Sequence, residues 1–196
     1  MNGSTVSGAT SNTFTSTKLA YKNTVQCGVS PFDGDENGKE VTSNIVTISN
    51  TAPVMSKVVL TPDPALTSNT LTCTGSGTDA DGDKLTYKYQ WFIGGKTVSG
   101  ATASTLSSKL TSKGDSINCA VTPNDGKTDG KSMASNVVTI GNTAPTVASA
   151  KLTPDPAFET STLTCAAGTT SDVDGDKVSV RYGWTVNGTV KKNCRA

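Results

Sequence analysis

Along much of this chain apolar and polar residues alternate with a period of two. The clearest run is residues 85–93. Leu85, Tyr87, Tyr89, Trp91 and Ile93 fall on one side and Thr86, Lys88, Gln90 and Phe92 on the other. That alternation predicts a half-buried strand. Ser116–Thr122 sets Ile117, Cys119 and Val121 on one face, and Thr70–Thr74 does the same with Leu71 and Cys73. Shorter strands are predicted at Lys57–Thr61, near Thr97, at Thr105–Ser108 and at Asn136–Ile140. Clusters of Gly, Asp, Asn and Pro punctuate the gaps, and no segment carries a convincing helical period. The pattern predicts an all-β chain.

The same pattern recurs. SGATSNTF at 7 returns as SGATASTL at 99, SNIVTISNTAPV at 43 as SNVVTIGNTAPT at 135, and LTPDPA at 60 at 152, all at an offset of 92. One inserted residue later, DADGDKLTYKYQW at 79 matches DVDGDKVSVRYGW at 172. The match fails after about Val190. A fixed period of this length marks tandem modules. Residues 1–50 are the C-terminal half of a module, 53–142 a complete one, and 145–196 an N-terminal half. Both ends read as truncations of a longer array. The linkers Asn50–Pro53 and Asn142–Pro145 read as semi-rigid joints, because proline fixes φ and removes a donor.

About 90 residues, some seven strands and a Cys…Trp…Cys order resemble an immunoglobulin-type sandwich. TLTC, DADGDKLTYKYQW, SGATASTL, GDSINCAV and the NTAP linkers resemble the immunoglobulin-like and PKD-like repeats of large bacterial and archaeal surface and secreted proteins. The resemblance covers nearly the whole chain. It implies tandem immunoglobulin-like β-sandwich modules, one complete and two partial. It also implies a Cys73–Cys119 bond between the sheets with Trp91 packed on it, and Trp184 as the corresponding core residue of the last module. Free buried thiols are the alternative for that pair. By the repeat, Cys27 matches Cys119 and Cys165 matches Cys73, so their partners are expected outside the chain. Cys194 has no counterpart, and a Cys165–Cys194 bond is the off-pattern alternative. The family implies an extracellular or cell-surface location, spacing or adhesion, calcium in some members, and no catalysis.

Composition narrows the chemistry. Lys and Arg number 17 against 16 Asp and Glu, a net charge of +1 with no basic segment, so no nucleic-acid partner is expected. No run approaches the roughly 18 apolar residues of a membrane helix. There is no histidine, which removes His-activated nucleophiles and His-ligated zinc. The chain is expected not to be an enzyme. The candidate site is the pair of triplets Asp79, Asp81, Asp83 and Asp172, Asp174, Asp176, joined by Asp125 from a second loop at the same end of the sandwich. Carboxylates on alternate residues can converge on a hard cation such as Ca²⁺, which takes six to eight oxygens. Turn formation with solvated charge is the competing reading.

Two functions follow. One is a spacer or stalk whose partners are the neighbouring modules. The other is an adhesin binding a surface protein or glycan through its loops. Head-to-tail exchange of the two half-modules between chains is a third arrangement.

Overall fold

The structure is a computed structural model of the chain, describing residues 6–15 and 19–194, with side chains up to residue 190. The described residues hold no α-helix, only strands and one 3₁₀ turn at Ser108–Leu110. In the first segment, β1 (Thr24–Val25) pairs with β4 (Val46–Thr47), and β2 (Gly28–Val29) with β3 (Val41–Thr42). The central segment carries β5 (Val54–Thr61), β6 (Ala65–Leu66), β7 (Leu71–Thr78), β8 (Thr86–Ile93) and β9 (Lys96–Thr97). It continues with β10 (Thr105–Leu106), β11 (Ser116–Asn124), β12 (Met133–Ala134) and β13 (Val138–Gly141). The last segment carries β14 (Thr146–Val147), β15 (Ala150–Thr153), β16 (Thr164–Ala167), β17 (Thr170–Ser171), β18 (Tyr182–Val186) and β19 (Thr189–Cys194), paired two by two.

The central strands make two sheets. One runs β10-β7-β5; the other runs β6-β13-β11-β8-β9, with β12 added on β11. The disulfide Cys73–Cys119 ties β7 of the first to β11 of the second. Around it Leu60, Leu71, Trp91, Leu106, Ile117, Val121, Val138 and Ile140 are fully buried. Trp91 Nε1–H donates to the Ala103 carbonyl at 2.8 Å, so the one polar atom of this indole is satisfied inside the core, as burial requires.

Two of the nine central strands, β6 and β12, are additions to the seven expected. Pro62 and Pro64 lack the N–H that would continue β5. After them the chain crosses to the other sheet, where Ala65 pairs in parallel with Ile140. Asn136 helps fix that region: Leu60 N–H donates to its Oδ1 at 2.9 Å. The alternation in residues 85–93 is real, but only Trp91 is sealed, while Tyr87 and Tyr89 are half-buried. The facing sheet has three strands and covers only part of that face.

Trp184 departs from its expected role. It is half-buried, not core, on a strand that belongs to the two-stranded sheet β18-β19. The Cys194 side chain lies outside the described residues.

By contact the chain divides into two units. One combines residues 1–57, 75–88 and 122–133; the other combines 58–74, 89–121 and 134–196. Each unit therefore contains one linker together with the Asp loop that follows it. No described helix is long and apolar enough to cross a membrane.

Candidate functional site

The Asp79–Asp83 loop is built on its own first carboxylate. Asp79 Oδ1 accepts the backbone N–H of Asp81 at 2.8 Å and of Asp83 at 3.2 Å. Gly82, at φ +79°, takes the left-handed position that closes the turn. The Asp172–Asp176 loop repeats the design: Asp172 Oδ1 accepts from Asp174 N–H at 2.8 Å and Asp176 N–H at 3.2 Å. Folding the loop this way brings each triplet together, with one carboxylate oxygen per residue within 4.8 Å of the others.

Turn formation uses only one oxygen of each first carboxylate. Asp33, in the matching position of the first segment's Asp125 loop, shows that use alone: its Oδ1 accepts from Asp35 and Glu36. Those amides hold its carboxyl below the usual carboxylate range. The triplets go further. Asp79 Oδ2 and Asp174 Oδ1 are buried with no hydrogen-bond partner, as is Asn50 Oδ1 of the adjoining linker. A buried acceptor without a donor costs about 1–3 kcal/mol, more when charged, so three of them around two acid clusters require an explanation.

The linkers dock onto these loops. Thr51 N–H donates to Asp81 Oδ2 at 2.7 Å, and Thr143 N–H donates to Asp174 Oδ2 at 2.7 Å. The two contacts are the same bond one repeat apart. Around the second, the Thr67 and Thr143 hydroxyls lie 2.6 Å apart. The Thr67 hydroxyl, followed by the Thr143 amide, lowers the Asp174 carboxyl below its ordinary range.

Asp125, expected among the metal ligands, is not brought into the cluster. It is buried, and both its oxygens are spent elsewhere. Oδ1 accepts from Lys127 N–H at 2.7 Å and Thr128 N–H at 2.6 Å; Oδ2 accepts from Asn50 Nδ2 at 2.7 Å. The Asn50 amide first, then the Thr128 amide, pulls its pKa down to about 2. Asp125 acts instead as a positioning residue. By fixing Asn50 Nδ2 it turns the amide so that Oδ1 is the atom left buried and unpaired.

Each triplet has one lysine against it. Lys127 pairs with Asp83 and Lys113 with Asp176, and each ammonium is pushed above its ordinary value by that carboxylate. Lys113 also reaches Asn142 Oδ1 at 3.1 Å, the position equivalent to the unpaired Asn50 Oδ1. Among the described residues each triplet thus sets three carboxylates against one ion-paired ammonium. The sequence singled out the acid triplets as a site facing the NTAP linkers, but not the particular bonds made by Asn50 and Thr51. The signal for the latter was present in the identical NTAP linkers.

Comparison with protein-family models, with curated proteins and with solved structures returns no match.

Proposed function

We propose that this chain consists of non-catalytic immunoglobulin-like spacer modules of an extracellular or cell-surface repeat protein, whose joints are stiffened by calcium. The observation that carries the reading is the repeated joint. Each linker amide is bonded to the middle Asp of an acid triplet, beside buried carboxylate oxygens that lack donors. Asp79, Asp81 and Asp83 would hold one ion and Asp172, Asp174 and Asp176 another, with Asn50 Oδ1 a further oxygen at the first. A divalent cation supplies the charge that one lysine per triplet does not. An oxygen-only donor set is the chemistry of Ca²⁺ and not of zinc. The disulfide suits an oxidising compartment.

The mechanical consequence is direct. An ion on the carboxylates fixes the loop, the loop holds Thr51 or Thr143, and the linker loses its freedom to swing. Calcium sites of extracellular modules bind at about 10⁻⁴–10⁻³ M. Calcium at about 10 mM should therefore stabilise the folded chain by about 1.4–2.7 kcal/mol. That appears as a Tm rise of about 3 °C or more over protein in chelator. Asp81→Asn together with Asp174→Asn should abolish the rise. No rise for the unmutated chain, and no binding heat in calorimetry, would end the calcium reading.

A further inference from the structure

The third carboxylate of each acid triplet already carries a cation of the chain's own. At the first joint it is Lys127, whose ammonium pairs with Asp83. This is not an ordinary surface pair. The two side chains are 29% and 28% exposed, against 63% and 46% for Lys88 and Asp129, and shielding from water strengthens an ion pair. The lysine is also held at its backbone. Its N–H donates to Asp125 Oδ1 at 2.7 Å, and Asp125 is the residue that turns Asn50. Its ammonium lies 5.4 Å from the centre of the Tyr21 ring, which it shares with Lys22 at 5.2 Å, within cation–π range. Tyr21 precedes the linker and Asp83 follows it, so one ammonium touches both sides of the joint.

The repeat varies this position. At the offset of 92, Lys127 is matched by Asp35, an acid in place of a base. The two loops, PFDGDENG and PNDGKTDG, share their proline, first Asp and both glycines. At the second joint the ammonium comes from a different turn. Lys113 stands where the first segment has Tyr21, and it pairs with Asp176, the counterpart of Asp83. Two lysines from different loops thus reach the same carboxylate of the triplet.

We propose that Lys127 is the resident counter-cation of the first joint: it closes the joint when metal is scarce, and calcium must displace it from Asp83 to bind. This inference rests on the calcium reading above. Without a cation, Asp79, Asp81 and Asp83 repel one another, since an oxygen of each lies within 4.8 Å of the others. The ammonium relieves that repulsion. A dication on the same carboxylates meets the ammonium as a like charge. The lysine therefore weakens calcium binding while keeping the empty loop folded. Position 127 sets the calcium concentration at which the joint stiffens, and a neutral or acidic residue there makes a tighter site.

The test uses the full chain carrying Asp174→Asn, which silences the second triplet. In that background Lys127→Met keeps most of the stem and drops the charge, and Lys127→Asp installs the residue of the first repeat. Calorimetry with calcium chloride should give a Kd about tenfold lower for Lys127→Met, the scale of one unit charge facing a dication across a few ångströms. Lys127→Asp should lower it further. Thermal melting should cross over. Both variants should melt below the Asp174→Asn parent in chelator, and at or above it in saturating calcium. A lysine with only a structural role would lower melting in both. Lys88→Met removes an equal charge from the exposed pair with Asp129, and at ordinary salt it should leave Kd within about twofold. Calcium binding with Kd unchanged in both Lys127 variants would overturn the proposal and leave the calcium site standing. So would an equal gain from Lys88→Met. No calcium heat and no calcium-dependent rise in melting for any of these chains would overturn the site itself, and this inference with it.

Discussion

Trp91→Ala is expected to cost the central sandwich about 3–5 kcal/mol, the range for removing a buried aromatic side chain. The side chain is wholly buried, and its removal also leaves the Ala103 carbonyl without the indole donor that reaches it at 2.8 Å. Such a loss is comparable to the whole stability of a small domain, about 5–15 kcal/mol. Denaturant unfolding followed by circular dichroism should show the midpoint fall steeply or the cooperative transition vanish. The repeat supplies an internal control. Trp184→Ala removes the same side chain from the equivalent strand, but that indole is half-buried on a two-stranded hairpin. In dilute protein it should cost on the order of 1 kcal/mol or less. Equal effects for the two substitutions would contradict the burial difference.

Breaking Cys73–Cys119 is the second large effect. The bond joins residues 46 apart in sequence. In the chain-entropy account, closing a loop of that size restricts the unfolded chain by about 4 kcal/mol. Cys73→Ala with Cys119→Ala should lose about that much, measured by urea unfolding against the oxidised parent, with Trp91 losing part of its packing. Reducing agent should shift the unmutated chain in the same direction. A change below about 1 kcal/mol would show that the sheets hold without the bridge, since native disulfides in small domains typically contribute 2–5 kcal/mol.

These two predictions rest on residues whose roles were visible in the bare sequence, and there is a physical reason for that. Trp91 sits in a nine-residue alternation, and side chains in a strand alternate whether or not the strand's neighbours are known. The strand at Ser116–Asn124 was legible for the same reason. β6 was not: two residues after two prolines carry no periodicity, and Ala65 is buried only because Ile140 lies beside it in the fold. β12, another two-residue strand, is equally silent.

At the site, Asp79, Asp81 and Asp83 were legible because their spacing is local. Asp125 was assigned to the ion because its loop comes near, and the structure spends both its oxygens on Asn50 and on its own turn. No count of acidic residues distinguishes a ligand from a residue that orients one. Trp184 shows the converse limit: the repeat identifies a core position, but burial needs a facing sheet.

Amide hydrogen exchange at Thr51 and Thr143, read in calcium and in chelator, bears most directly on whether the linkers are clamped to the Asp loops. Both amides donate to a carboxylate at 2.7 Å, so both should exchange more slowly than a free peptide, and slower again with calcium present. Exchange at the free-peptide rate in both conditions would mean that the linkers swing freely and that the joints are not built as described.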